Sequence, residues 1–390
     1  MYYNFDEEID RLNTSSIKYD GLQQFFGSDD LLPMWVADMD FRTPHFIINA
    51  LKNRLEHEVL GYSFRSDSFQ EAVAGWLKRR HGWEIKKEWI VFTPGVVPGV
   101  NLAVLAHTSS GDNIITQPPV YFPFFNAVTD HVRKLVYNKL SLINGRLSVD
   151  FDNLENECRK GAKMIIISSP HNPGGNVWTR DELSKIAAIC LRYNVLIVSD
   201  EIHCDLVYKP NKHTPMASLS DEIASNTITF IAPSKTFNVS GLSSSLAIIP
   251  DENLRKQFVS TLDHLHIGLG NIFGNVAMEA AFTYGDEYDD ALMEYLAGNV
   301  ALVESFLETN LPQIKPVRPE ATFLVWLDCR EMGMTDKELN DFFLKKARLA
   351  LNQGIQFGPG GEGFMRLNIG CTKATLLKGL NRLKQAFSTL

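Results

Sequence analysis

From about residue 85 to residue 250, short runs rich in β-branched and aliphatic residues alternate with longer amphipathic stretches. Residues 89–92, 113–116, 164–168, 195–199, 228–231 and 246–249 are runs of strand length, mostly apolar along both faces, as in strands covered from two sides. The clearest helix lies between the third and fourth runs. Thr179 and Glu182 have the spacing of a capping box, and Leu183, Ile186, Ala187, Cys190 and Leu191 follow at helical intervals. Asn194 then predicts a C-cap just before the next strand. Strand, helix, strand in this order needs crossover connections, which predicts a parallel sheet with right-handed crossovers. The fold class is therefore α/β.

A chain of 390 residues exceeds what one core usually serves, so two domains around a cleft are expected. The pattern changes after about residue 285. A long helical stretch covers 287–311, followed by a strand at 322–327, a helix near 336–348, a strand at 364–369 and a last helix from about Thr372. The expected division is a three-layer large domain over residues 45–285, with a mostly parallel sheet, and a smaller α+β domain built from residues 1–44 and 286–390.

A formal net charge of -8 argues against non-specific affinity for nucleic acid or an anionic membrane, which favours a small-molecule partner. Cys158, Cys190, Cys204, Cys329 and Cys371 are scattered and odd in number. They predict buried thiols in a reducing compartment rather than a disulfide framework or a metal knuckle. The first residues, Met-Tyr-Tyr-Asn-Phe-Asp-Glu-Glu, have neither the basic start nor the apolar core of a signal peptide, and no apolar run reaches membrane-spanning length. A cytoplasmic location is expected, with no metal site and no membrane or nucleic-acid partner.

Ligands of open α/β sheets bind outside the carboxyl ends of the strands. Four features fall there: Asn172 after 164–168, Asp200 after 195–199, Lys235 after 228–231, and the loop Gly95-Val96-Val97-Pro98-Gly99 after 89–92. The loop suits an anion, because glycine permits close backbone approach and the free amides of a helix start favour negative charge. It carries neither a Walker motif nor G-x-G-x-x-G, so the usual marks of ATP and NAD are missing. Taken singly, each feature has an ordinary structural explanation: a strand–helix turn, a capping aspartate, a surface lysine. Their common edge is what favours a site.

With these residues placed, the chain resembles the fold-type I pyridoxal-5′-phosphate (PLP) enzymes, specifically the class I/II aminotransferase superfamily, over nearly its whole length. Ser-Ser-Pro-His-Asn-Pro-Gly-Gly (168–175) is similar to the family's asparagine loop, which implies that Asn172 bonds the cofactor phenolate. Ser-Asp-Glu-Ile-His (199–203) implies that Asp200 pairs with the pyridine nitrogen. Ser-Lys-Thr-Phe (234–237) implies that Lys235 is the Schiff-base lysine and, once displaced, a base beside the substrate Cα. Arg-Leu-Asn-Ile-Gly (366–370) implies that Arg366 grips the substrate α-carboxylate. The same resemblance places Tyr121 against the cofactor ring, with core packing as the competing reading. It also implies that Tyr62, in Leu-Gly-Tyr, reaches the phosphate of a partner subunit.

Two departures stand out. Many relatives carry a phosphate-binding arginine where this chain has Ser243, which leaves the amides of Val96 and Val97, Ser234 and Tyr62 to hold the phosphate. His203 replaces a tyrosine common near the phenolate. Together with Gly95 and its loop, Met-Trp-Val-Ala-Asp-Met-Asp-Phe (34–41) and Lys-Thr-Phe-Asn-Val-Ser-Gly-Leu (235–242), these features resemble the cystathionine β-lyase/C–S lyase branch. The implied protein is a homodimeric, PLP-dependent lyase acting on L-cystathionine or related cysteine S-conjugates. An aminotransferase using the same residues is the first alternative, and a PLP-binding regulatory protein the second.

Overall fold

The computed structural model describes residues 3–389. A seven-stranded sheet lies at its centre, with strands β1 (Ile90–Thr93), β2 (Asn113–Thr116), β3 (Lys134–Tyr137), β4 (Met164–Ser168), β5 (Leu196–Asp200), β6 (Thr227–Ile231) and β7 (Ser245–Ile248). They are arranged in the order β1-β7-β6-β5-β4-β2-β3. Successive side chains of a strand point to opposite faces, and here each face has its own core. Met164 and Ile166 of β4 pack with Val96, Val100 and Phe258. Ile165 and Ile167 pack on the other side with Leu183, Ile186 and Cys190. Helices on both faces make the three-layer α/β arrangement, and explain why β4 to β7 are buried at every position.

The strands β6, β5, β4, β2 and β3 run parallel to their neighbours. β7 departs from the alternation read in the sequence, running antiparallel to both β6 and β1. The chain between β6 and β7 holds only the short 3-10 turn Ser240–Leu242, so it turns back instead of crossing the sheet. β3 is absent from the sequence reading. It is an edge strand, exposed at both ends through Lys134 and Tyr137, and so lacks the apolar run that marks the buried strands.

The helix Arg180–Arg192 carries the expected capping box of Thr179 and Glu182. Its C-cap is Tyr193, and Asn194 stands one residue further on at φ +54°, a left-handed position that asparagine tolerates. Beyond the long helix Asp286–Asn310 comes an antiparallel four-stranded sheet: β8 (Lys315–Val317), β9 (Leu324–Asp328), β10 (Asn352–Gln353) and β11 (Phe364–Asn368), in the order β8-β9-β11-β10. The single helix expected near 336–348 is α-helical only over Asp336–Asp341 and widens into a π-turn over Phe342–Lys346. The N-terminal segment returns to this sheet: Leu32–Pro33 pairs in parallel with Leu349–Ala350, and Asn368 N–H donates to the Met34 carbonyl at 3.0 Å. All five cysteines are buried and unpaired. Among the described residues, no helix is long and apolar enough to cross a membrane.

Candidate active site

A cavity of about 220 Å³ opens at the carboxyl ends of β1, β4, β5 and β6. Its first wall is the turn after β1. Gly95 has φ +130°, and a Cβ there would lie 3.3 Å from the Pro98 ring, so both backbone and space call for glycine. The helix Val96–His107 that follows lies close against the sheet, since a Cβ on Gly99 would come within 2.5 Å of the Phe230 ring. Val96 and Val97 thereby line the cavity at a helix start, where backbone N–H groups lack intrahelical acceptors.

The second wall is the end of β5. Asp200 accepts from the Ile202 N–H at 3.0 Å, and burial pushes its carboxyl up to about 7 against the opposing pull of Lys235. His203 is buried beside it with Nδ1 lacking a partner. Burial, reinforced by the charges of Lys235 and Arg366, holds its imidazole far below the usual histidine range, so it is neutral.

The third wall is the return between β6 and β7, which brings Ser234, Lys235, Ser240, Ser243 and Ser244 to the cavity. Lys235 Nζ donates to the Ala37 carbonyl at 2.8 Å. Burial, then the charge of Arg366, pushes its amine down to about 8, while Asp38 and Asp200 act the other way. The turn bearing this lysine is braced from behind. Thr236 Oγ1 donates to Asp205 Oδ2 at 2.9 Å, and Asp205 Oδ1 also accepts from Trp76 Nε1 at 3.0 Å and pairs with His81 Nε2 at 2.8 Å.

Asn172 and Tyr121 complete the enclosure, with the Tyr121 N–H donating to the Asn172 carbonyl at 3.1 Å. Burial raises the Tyr121 hydroxyl above its ordinary pKa, so it keeps its proton. Asn172 Oδ1 accepts from Arg366 Nη1 at 3.0 Å, which leaves its Nδ2 to donate elsewhere. Arg366 Nη2 donates to the Trp35 carbonyl at 2.9 Å and to Asn352 Oδ1 at 2.6 Å. Phe357 lies against the guanidinium face at 4.9 Å, and Nε is buried without a partner. All three hydrogen-bond acceptors are neutral, and burial lowers this guanidinium to about 10.

The fold thus gathers Gly95, Val96, Val97, Tyr121, Asn172, Asp200, His203, Ser234 and Lys235 around one cavity, with Arg366 joined to it through Asn172. Tyr62 stands apart: it is 96% exposed, beside Phe64 and Ile272 in a separate surface depression.

Sequence reasoning missed what the 34–41 segment does. Its carbonyls receive hydrogen bonds from Arg366, Asn368, Lys235 and Asn238, so it forms a fourth wall. Asp38 and Asp40 of this segment are held by Arg11, each at 2.7 Å, and Asp40 also by buried Lys18 at 3.0 Å. The two aspartates were a visible signal; the main-chain acceptors leave no mark in a sequence.

With this fold and site, residues 30–383 match the family described as aminotransferase class I and II, and the chain belongs to that family. Cystathionine β-lyase PatB of Bacillus subtilis (strain 168) is 45% identical over 386 residues, covering 99% of this chain and 100% of that protein. Cystalysin from Treponema denticola, whose crystal structure contains a pyridoxal 5′-phosphate cofactor, superimposes with a TM-score of 0.97 at 36% identity and full coverage of both chains, 100% of each. A PLP-bound C–S lyase from Staphylococcus hominis gives a TM-score of 0.93 at 34% identity, covering 99% of this chain and 98% of the other.

Proposed function

We propose that this protein is a PLP-dependent C–S β-lyase that cleaves L-cystathionine or related cysteine S-conjugates to pyruvate, ammonia and a thiol. The observation that carries the reading is the convergence of Lys235 and Asp200 on one cavity to which Arg366 is joined through Asn172. These are an amine of lowered pKa, a buried carboxyl raised to about 7, and a buried guanidinium whose hydrogen-bond acceptors are neutral.

The donor set fits the cofactor. Val96, Val97, Ser234 and Ser243 line the cavity and would hold the phosphate, and the buried, unpartnered Nδ1 of His203 supports a polar ligand there. Bound PLP supplies an electron sink that acidifies the substrate Cα–H. Asp200 would hold a positive charge at the ring nitrogen, and Asn172 Nδ2 and His203 would hold the phenolate side. Arg366 takes the α-carboxylate, and the amine of Lys235 takes the Cα proton as the Cβ–S bond breaks. Lys235 or Tyr121 returns a proton to the departing sulfur; both line the cavity and both carry one to give. The names borne by similar proteins, a cystathionine β-lyase and a C–S lyase, favour elimination over transamination.

Incubation with L-cystathionine in the absence of any oxo acid separates the two reactions. Elimination yields pyruvate and free thiol in equal amounts over many turnovers. A single turnover that leaves the cofactor aminated would establish an aminotransferase instead.

The reading extends to a cytoplasmic homodimer with shared sites. Five free buried thiols suit a reducing compartment. Val59, Leu60, Tyr62 and Phe64 are 66%, 53%, 96% and 85% exposed, an apolar run that calls for a covering surface. A second copy is the occupant that gives Tyr62 a site to serve, its hydroxyl reaching the phosphate in trans. Hybrid dimers made from Lys235→Ala and Tyr62→Ala parents test this. Service in trans leaves one intact site per hybrid, so activity rises well above either parent. Hybrids confirmed by native mass spectrometry that show no rise would exclude it.

A further inference from the structure

Asn352 stands directly opposite Arg366 in the β10–β11 pairing, so the two side chains are cross-strand neighbours. Asn352 is buried, and its Oδ1 accepts from Arg366 Nη2 at 2.6 Å. The amide is held from its other end, with Asn352 Nδ2 donating to Gln356 Oε1 at 3.1 Å. Gln356 belongs to the turn Gly354–Phe357, which also presses the Phe357 ring against the guanidinium. One short stretch therefore fixes the plane of Arg366 and occupies its outer nitrogen, leaving Nε–H open. A buried arginine is ordinarily matched by a carboxylate, the partner that best offsets its desolvation. At this position the chain places the uncharged isostere of aspartate.

We propose that Asn352 is a specificity-determining residue for substrates bearing an α-carboxylate, because its neutral amide orients Arg366 without cancelling the charge. The proposal rests on the reading of Arg366 as the carboxylate anchor and adds the reason that anchor stays available. An aspartate here would form an internal ion pair with Arg366. An incoming carboxylate would then meet a neutralised guanidinium and a like charge beside it.

The test uses the holoenzyme and two ligands that cannot undergo Cα deprotonation by the lyase route. The first, 2-aminoisobutyrate, has amine and carboxylate but no Cα proton; the second, tert-butylamine, has the amine alone and likewise no Cα proton. Binding is followed by calorimetry and by the cofactor absorbance. Asn352→Asp keeps the shape and the bond from Arg366 but not the donation to Gln356, and should weaken 2-aminoisobutyrate binding by about 100-fold while leaving tert-butylamine within about 3-fold of wild type. Asn352→Ala loses only the orientation and should weaken 2-aminoisobutyrate by about 10-fold. With turnover substrates, the Asn352→Asp loss should lie in KM rather than kcat. Unchanged 2-aminoisobutyrate affinity in Asn352→Asp overturns the proposal, and so does an equal loss of both ligands, which would mean a merely structural role. Because neither probe depends on C–S cleavage, the Asn352 result stands or falls separately from the lyase activity.

Discussion

Lys235→Ala should reduce pyruvate release from cystathionine by about 10⁴-fold or more, the largest effect expected of any single substitution in this chain. In the proposed reaction the side chain serves twice, as the amine that carries the cofactor and as the base at Cα, and among the described residues no other lysine lines the cavity. Its lowered pKa, caused first by burial, keeps a usable fraction of free amine near neutral pH. The wild-type protein should be yellow from its bound cofactor. Borohydride treatment should then fix the mass of the cofactor to the peptide containing Lys235. Mass on a different lysine, or a Lys235→Ala protein that still releases pyruvate at the wild-type rate, refutes the assignment.

Arg366→Ala should raise KM for amino-acid substrates by about 30-fold or more, in line with the roughly 2–5 kcal/mol cost of removing one member of a buried charged pair. The cofactor absorbance should persist, because Arg366 reaches the cavity through Asn172 rather than lining it. Three acceptors lose their donor in this variant, so Arg366→Lys is the better separator. It keeps the charge but not the planar fork, and should fall between wild type and alanine. Wild-type KM in Arg366→Ala would remove Arg366 as the carboxylate anchor.

The legible parts of this protein share a physical character. The strands at 113–116 and 164–168 were readable to the residue because both faces are covered and the positions between their polar ends, Asn113, Thr116 and Ser168, are apolar. The half-exposed β3 gave no such pattern, and the reversal at β7 depended on the length of a turn rather than on composition. In the site, Lys235, Asp200 and Asn172 were legible because strand ends concentrate polar residues in an otherwise apolar sheet. The wall made by 34–41 was not, since it acts through carbonyls that every residue type possesses. Asn352 escaped notice for a different reason: its partner lies across a strand pairing, and β10 is only two residues long.

The reversal at β7 also decides how far apart in the chain the cavity's walls lie. Leu246 pairs with Ile231 across one short return, a local contact that costs little chain entropy to close. Thr93, beside the Gly95 turn, pairs with Ser245 at a separation of 152 residues, and β1 is an edge strand with no other partner in the sheet. A ligand held at one end by the Gly95 turn and at the other by Lys235 therefore bridges the cheapest and the costliest closures of the same sheet. Such a ligand acts as a staple, shifting the unfolding equilibrium by mass action in proportion to the logarithm of its concentration. Resistance to heat and to proteases at this edge is consequently set by how much of the protein is loaded as well as by the chain itself.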